Sequence, residues 1–127
     1  MATDIIAPPG YVAHFEVTTV DGGRVRYREL WQHRNLVLVA GRPGERDGLA
    51  LYASRLADRR REFDDSEATV VVTTDRVKDV SAPGIVIADR WGEVQYRRHF
   101  AVAEPPDVEE LLSWVRFIQT QCPECPP

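Results

Sequence analysis

The chain has 127 residues, of which 43% are hydrophobic and 28% are charged. This size and composition are typical of one globular domain and exclude a disordered chain. The formal net charge of −4 argues against nucleic acid or an anionic membrane as a general partner.

Residues 1–10 have neither the basic stretch nor the apolar stretch of a secretory signal. No later segment has the length and apolar character of a membrane span. We therefore expect a cytoplasmic protein with no membrane partner. In that compartment thiols stay reduced unless they carry out redox chemistry or bind a metal.

The first predicted elements form a hairpin and a central strand. Residues 11–20 alternate apolar and polar side chains, which is typical of a half-buried strand. Asp21-Gly22-Gly23 supplies a tight turn, and residues 24–28 resume the alternation. Residues 29–33 predict a short helical turn. Residues 36–40 are all apolar, which indicates a strand covered on both faces.

A strand–helix–strand unit follows. Residues 41–46 predict a loop, and Asp47 is a candidate cap for a helix whose buried face runs from Leu49 to Phe63. Residues 68–73 predict a second apolar strand. Two such strands joined by a helix imply a parallel pair with a right-handed crossover.

The last elements are a second hairpin, residues 85–88 and 93–96, and a closing helix. Asp107 and Glu110 have the spacing of a capping box at the start of that helix, and its apolar face extends to Ile118. We expect one domain over residues 1–120 and a proline-rich tail over residues 121–127.

Three segments carry a resemblance to a known family. They are Val20-Asp21-Gly22-Gly23-Arg24-Val25, Asn35-Leu36-Val37-Leu38-Val39, and Ala82-Pro83-Gly84-Ile85-Val86-Ile87-Ala88-Asp89-Arg90-Trp91-Gly92-Glu93-Val94. With the order of elements, they resemble the thioredoxin-like fold of peroxiredoxin-type redoxins. That resemblance implies an α/β three-layer sandwich, with a central mixed sheet, an N-terminal hairpin and two main helices. It also implies a cis Ala82–Pro83 peptide, although X-Pro bonds in general favour trans.

The sequence departs from this family in two places. Residues 41–52, where the family keeps its catalytic cysteine, contain no Cys, Ser or Thr. The connection over residues 74–82 is too short for the helix and strand that fuller redoxins insert. The resemblance therefore implies a compact redoxin that is not a standard peroxidase.

The two cysteines of the chain form Cys122-Pro123-Glu124-Cys125. A dithiol of this spacing can cycle between reduced and disulfide forms with a protein thiol or disulfide as partner, so Cys122 and Cys125 are the candidate catalytic residues. The pair follows a helix C-terminus, where the dipole and Glu124 both oppose thiolate formation. We therefore expect slow thiol chemistry.

Other interpretations of the pair remain open. One CxxC is half of a four-sulfur zinc site, and two tails in a homodimer would complete one. An inert tail is the third alternative. The chain would then be a non-catalytic binding or dimerisation scaffold. We predict no resident cofactor.

Pro83, Arg42 and Arg46 are the candidate substrate-binding residues. Pro83 comes from the resemblance, because the family receives thiols beside its cis-proline. Arg42 and Arg46 lie in the predicted loop between a central strand and a helix start, where backbone amides and guanidinium groups can hold an anion. Glu45 and Asp47 oppose an anion there, and a plain connecting loop is the simpler alternative.

Overall fold

The structure is a computed structural model that describes residues 10–121. The elements follow the predicted order: β1 (Glu16–Thr18), β2 (Arg24–Arg26), β3 (Asn35–Ala40), α1 (Arg46–Asp58), α2 (Arg60–Asp65), β4 (Ala68–Thr73), β5 (Gly84–Ala88), β6 (Val94–His99) and α3 (Val108–Thr120). Short 3₁₀ turns occupy Tyr27–Glu29 and Pro43–Glu45.

Four strands form a mixed sheet in the order β4-β3-β5-β6. The apolar strands β3 and β4 run parallel, as the strand–helix–strand pattern predicts, while β5 is antiparallel to both β3 and β6. The first hairpin, β1 and β2, forms a separate two-stranded sheet. Its end reaches β4, where Thr19 forms a bridge with Thr73.

The sheet has a hydrophobic core on each face because successive strand side chains point in opposite directions. Val37 and Val39 face the three helices, within a cluster to which Leu56 and Val115 belong. On the other face, side chains from the N-terminal hairpin and the Tyr27–Glu29 turn pack against the sheet. The result is three layers: helices, sheet and hairpin.

The helix predicted through Phe63 is two helices. Arg59, with φ −110° and ψ 19°, ends α1 and precedes α2. Its guanidinium binds Glu62 and reaches Glu109 of α3. No glycine or proline marks the break in the sequence, and the contact that accompanies it comes from an element 50 residues away.

The closing helix begins where the sequence predicts, with one difference. The Asp107 carboxylate accepts a hydrogen bond from the Glu109 N–H at 3.1 Å and acts as the N-cap. Glu110 does not complete the capping box. Its carboxylate binds the Tyr96 hydroxyl at 2.6 Å and the Arg98 guanidinium, since both lie on the adjacent strand.

Candidate functional site

The loop after β3 contains the first candidate residues. Gly41 continues the sheet, because its N–H donates to the Thr73 carbonyl at 3.0 Å. A Cβ at Gly41 would lie 2.2 Å from the buried Leu49 side chain, so the chain passes close to α1 here. The fold therefore places the loop at the carboxyl end of β3, beside the start of α1.

A carboxylate of the loop already occupies one of its amides. Glu45 Oε1 accepts a hydrogen bond from the Arg42 N–H at 2.8 Å. The predicted cap at Asp47 is wrong, because α1 begins at Arg46 and Asp47 lies within its first turn. Any external anion would have to compete with the Glu45 carboxylate for this amide.

The two arginines of the loop have different surroundings. Arg46 Nη2 donates to the Val20 carbonyl at 3.0 Å, which ties the start of α1 to the N-terminal hairpin. Arg42 directly precedes the 3₁₀ turn Pro43–Glu45, and its side chain is exposed. Arg46 therefore has a structural contact that the sequence alone did not reveal, and Arg42 remains the more accessible charge.

Pro83 lies beside this loop. The Ala82–Pro83 peptide bond is cis, as the resemblance implies. The next residue, Gly84, pairs with Ala40, so Pro83 faces Gly41 across adjacent strands. A Cβ at Gly84 would lie 2.4 Å from the Ser81 carbonyl oxygen, which explains glycine at this position. The fold thus brings Pro83 and the Arg42 loop to one end of the sheet.

The loop at this end of the sheet contains no thiol and no serine or threonine hydroxyl. The nearest hydroxyl along α1, that of Tyr52, donates to the Pro106 carbonyl at 2.7 Å. Burial raises the pKa of this phenol. Tyr52 is therefore a packing residue that stays protonated and does not replace the missing nucleophile.

The dithiol is attached at the other end of the sheet. Cys122 and Cys125 lie outside the described residues, which end at Gln121, directly after α3. In the last turn of α3, Gln119 Oε1 accepts a hydrogen bond from Asn35 Nδ2 at 3.0 Å. Asn35 is the first of the six residues of β3, whereas the Arg42 loop follows the last.

The two ends are separated by the length of β3, about 20 Å for six residues. Gln121, the last described residue, therefore lies near the end of β3 that is opposite Pro83. The structure therefore brings Pro83 and Arg42 together and does not bring the attachment point of the dithiol to them.

Two arginines lie near the end of α3, but both have carboxylate partners. Arg90 Nη2 binds Glu67 at 2.9 Å and lies 3.5 Å from Gln119 Oε1. Arg34 Nη2 binds Asp64 at 2.9 Å. Their charges are therefore partly neutralised before they could act on a nearby thiol.

Over residues 10–121, no group of three or more His, Asp or Glu side chains is placed to hold a metal ion. Within the same range, no helix combines the length and apolar character needed to cross a lipid bilayer.

No protein-family model matches the sequence, and no curated protein matches it either. Solved structures do match. The mitochondrial 2-Cys peroxiredoxin from Plasmodium falciparum has a TM-score of 0.64 at 12% identity, over 95% of this chain and 99% of that one.

Two further solved structures also match the chain. AhpC from Mycobacterium tuberculosis has a TM-score of 0.61 at 12% identity, with 94% of this chain and 98% of that chain covered. A thiol peroxidase from Chromobacterium violaceum has 0.52 at 14%, with 89% and 87% covered. The chain therefore has the thioredoxin-like fold of the peroxiredoxin type, with its mixed sheet and N-terminal hairpin.

Proposed function

We propose that this chain is a thiol–disulfide redox protein that works through Cys122 and Cys125 and not through the loop beside Pro83. The observation that carries the proposal is a fold of the redoxin type whose two cysteines both lie in one CxxC motif, outside the usual pocket. The loop where a redoxin thiol would lie has no thiol, and Glu45 occupies its Arg42 amide.

The proposed reaction is an exchange with a protein disulfide. One thiolate of the pair attacks the partner disulfide, which forms a mixed disulfide and releases one partner thiolate. The second thiolate of the pair then displaces the other partner sulfur. The pair is oxidised by two electrons, the partner disulfide is reduced by two electrons, and the two protons lost by the pair go to the partner thiolates.

The location of the dithiol after the C-terminus of α3 determines its rate of thiol–disulfide exchange. The C-terminal end of α3 carries the negative end of the helix dipole, and Arg34 and Arg90 are paired with carboxylates. The thiolate form is therefore disfavoured, and the exchange rate should rise with pH through the ordinary thiol pKa of about 8.5. A protein with these properties would serve as a slow redox switch.

The test is a redox titration of the full chain in a series of glutathione buffers, with insulin disulfide reduction as the activity assay. We expect a reversible two-electron transition, which Cys122→Ser and Cys125→Ser each abolish. The matched control is Ser113→Cys in a chain with both native cysteines replaced by serine, because it supplies one exposed thiol on α3 without a second. A pair that cannot be oxidised reversibly would refute the proposal.

A non-catalytic scaffold is the second candidate function, and the closed loop favours it. Glu45 supplies its own carboxylate to the Arg42 amide, which a ligand anion would otherwise bind. In this case the CxxC motif would join two copies through zinc or would be inert. Metal analysis of the full chain purified without chelator separates these cases: one zinc per two chains, lost in Cys122→Ser, supports a metal clip.

A further inference from the structure

The outer edge of β4 is open in the described part of the chain. β4 pairs with β3 over all six residues and ends the sheet on that side. The chain then returns through residues 74–83 to β5 without forming a further strand. This short connection therefore adds no strand beside β4.

The hydrogen-bond pattern shows which β4 groups face outward. The Thr73 carbonyl accepts from the Gly41 N–H at 3.0 Å, so the odd-numbered residues of β4 turn toward β3. The even-numbered residues Ala68, Val70 and Val72 therefore direct their N–H and C=O groups away from the sheet. Their spacing is that of a strand ready to accept a neighbour.

Two of these outward carbonyls have partners, and Val70 lies between them. The Val72 carbonyl accepts from the Val20 N–H at 2.9 Å. The Ala68 carbonyl accepts from Arg34 Nη2 at 2.9 Å. Within residues 10–121, no hydrogen bond is formed by the Val70 N–H, the Val70 C=O or the Val72 N–H.

These three groups face a groove of about 340 Å³, which we call the β4 groove. One wall comes from α1 and α2 and is largely apolar, while the other comes from the N-terminal hairpin and also contains the polar residues Thr19, Asp21 and Arg24. The lining includes Ala53, Leu56, Ala57 and Phe63 on the helical wall and Val20 and Val25 on the hairpin wall.

Because walls rise on both sides of it, the β4 edge of one copy cannot pair directly with the same edge of another. A single extended segment fits such a groove better. Its backbone would pair with Val70, and successive side chains would point alternately to the helical wall and to the hairpin wall. The occupant therefore needs free N–H groups and two adjacent apolar side chains.

We propose that the occupant is the segment Thr3-Asp4-Ile5-Ile6-Ala7 of a second copy of this chain. These residues precede the described range, have all their N–H groups and include three β-branched side chains. Ile5 and Ile6 would fill the two walls. The C-terminal segment is unsuitable, because Pro123, Pro126 and Pro127 lack the N–H that a strand needs.

The segment cannot fill the groove of its own chain. The Gly10 carbonyl accepts from the Val94 N–H on the outer side of β6, at the opposite edge of the sheet. From there to the open side of β4 is five strand spacings, roughly 24 Å. The four residues from Gly10 back to Ile6 span at most about 14 Å. Exchange between two copies removes this restriction.

The outer edge of β6 is nearer but suits the segment less well. Continued pairing along β6 would place Pro8 and Pro9 within the ladder, where they cannot donate. The neighbouring side chains would be those of Gln95, Arg97 and His99, which give the isoleucines little apolar surface. The β4 groove offers apolar side chains on both sides, with more of them on the helical wall than on the hairpin wall.

The groove lining contains two arginines, Arg24 and Arg60, and two aspartates, Asp21 and Asp64, so charge favours an acidic segment only beside a guanidinium group. Arg60 lines the groove with a side chain that is 82% exposed, and its ion pair with Asp64 is long, at 4.0 Å. Arg24 lies on the opposite rim, where it is paired with Glu16. Asp4, directly before the isoleucines, would lie near one of these guanidinium groups.

The test measures the oligomeric state and amide exchange of the full chain across a concentration series. We expect a dimer whose formation slows hydrogen exchange at the Val70 and Val72 amides by about tenfold or more. The variant Ile5→Asp with Ile6→Asp should weaken the dimer at least about hundredfold, since two apolar side chains lose their burial. Ala2→Asp is the matched control, because it adds the same charge outside the segment.

A mixing experiment gives a second readout. Ala57→Trp fills the groove from an exposed position on α1 and should also leave the protein monomeric. Mixed with the Ile5→Asp/Ile6→Asp variant, it should form a heterodimer, because one intact segment then meets one intact groove. The proposal is overturned by a full chain that stays monomeric, by a dimer that the isoleucine variant leaves unchanged, or by protection of Val70 that does not depend on concentration. None of these outcomes depends on Cys122 or Cys125, so the proposed dimer is tested independently of the proposed redox function.

Discussion

The two ends of the central sheet differ in the residues that could take part in thiol chemistry. At the α1 end, cis-Pro83 faces Gly41 beside the start of a helix, but the loop there has no cysteine, serine or threonine. At the α3 end, Gln119 and Asn35 anchor the helix that leads to the two cysteines. The helix start beside cis-Pro83 and the point where the cysteine segment is attached thus lie at opposite ends of the sheet.

The ends also differ in what stabilises them. The α1 end is packed, with the buried Leu49 against Gly41. The α3 end is held by hydrogen bonds of the buried Asn35 side chain to the Ser66 carbonyl and to Gln119. Hydrogen bonds also form at the α1 end, so packing is not its only support. The comparison teaches that one sheet can bury an apolar contact at one end and a polar contact at the other, which predicts effects of different size when each is removed.

The largest effect is expected at the packed end. Leu49→Ala should lower the free energy of unfolding by about 3 kcal/mol, because it leaves a cavity between α1 and the sheet. Urea denaturation measures this value. Leu51→Ala is the matched control, since Leu51 is 59% exposed on the same helix, and its cost should be small. Equal losses for the two variants would contradict the packing argument.

A smaller loss is expected at the hydrogen-bonded end. Asn35→Ala should cost about 2 kcal/mol, because the Ser66 carbonyl loses its buried donor. The last turn of α3 should also exchange faster, which the Gln121 amide reports because it donates to the Ile118 carbonyl. Gln119→Ala, which removes only one of the two bonds, should cost less. Unchanged exchange at Gln121 would show that Asn35 does not anchor this end.

A cysteine introduced at the α1 end tests how the helix dipole at each end of the sheet changes the pKa of a thiol. Gly44→Cys, in a chain without the native cysteines, places a thiol before α1, where a Cβ meets no atom within 4 Å. Its pKa should lie about one unit below that of Cys122 in the Cys125→Ser chain, because it faces the positive end of a helix. Glu45 offsets part of this effect. The pH dependence of iodoacetamide alkylation measures both values, and a lower pKa for Cys122 would reverse the comparison.

The smallest effect concerns the ion pairs between the helices. Hydrogen bonding by Arg59 lowers the pKa of Glu62, and Arg116 of α3 adds to this. A lowered pKa in the folded state means that the stabilisation is present above the unfolded value of about 4.5 and is lost as the pH falls below it. Glu62→Gln should therefore flatten the fall in the urea midpoint on acidification. Parallel curves for variant and wild type would exclude this contribution.

Much of the fold could be predicted from local pattern. The apolar runs gave β3, β4 and β5 to within a residue at either end, and Asp107 marked the start of α3. The hairpin strands are shorter than the alternation indicated, since β1 covers only Glu16–Thr18. Alternation shows which side chains can be buried, whereas strand length depends on a partner strand being present.

The candidate site was predictable in composition but not in arrangement. The missing nucleophile between residues 41 and 52 is visible in the sequence, and so is the CxxC motif. The contact of Glu45 with the Arg42 amide has an i, i+3 spacing that could have indicated it. The contact of Arg46 with Val20 could not, because no spacing links residues 26 positions apart.

By itself, the sequence determined the order of strands and helices along the chain, the burial of the central strands on both faces and the absence of a thiol from the loop between β3 and α1. Each of these depends on residue types within a few positions of one another. The tertiary structure decided that Pro83 faces Gly41, that α1 ends at Asp58, that the end of α3 lies opposite the loop and that, within residues 10–121, β4 keeps an open edge. These features depend on contacts such as Asn35 with Gln119, 84 residues apart, which form only when the whole chain packs.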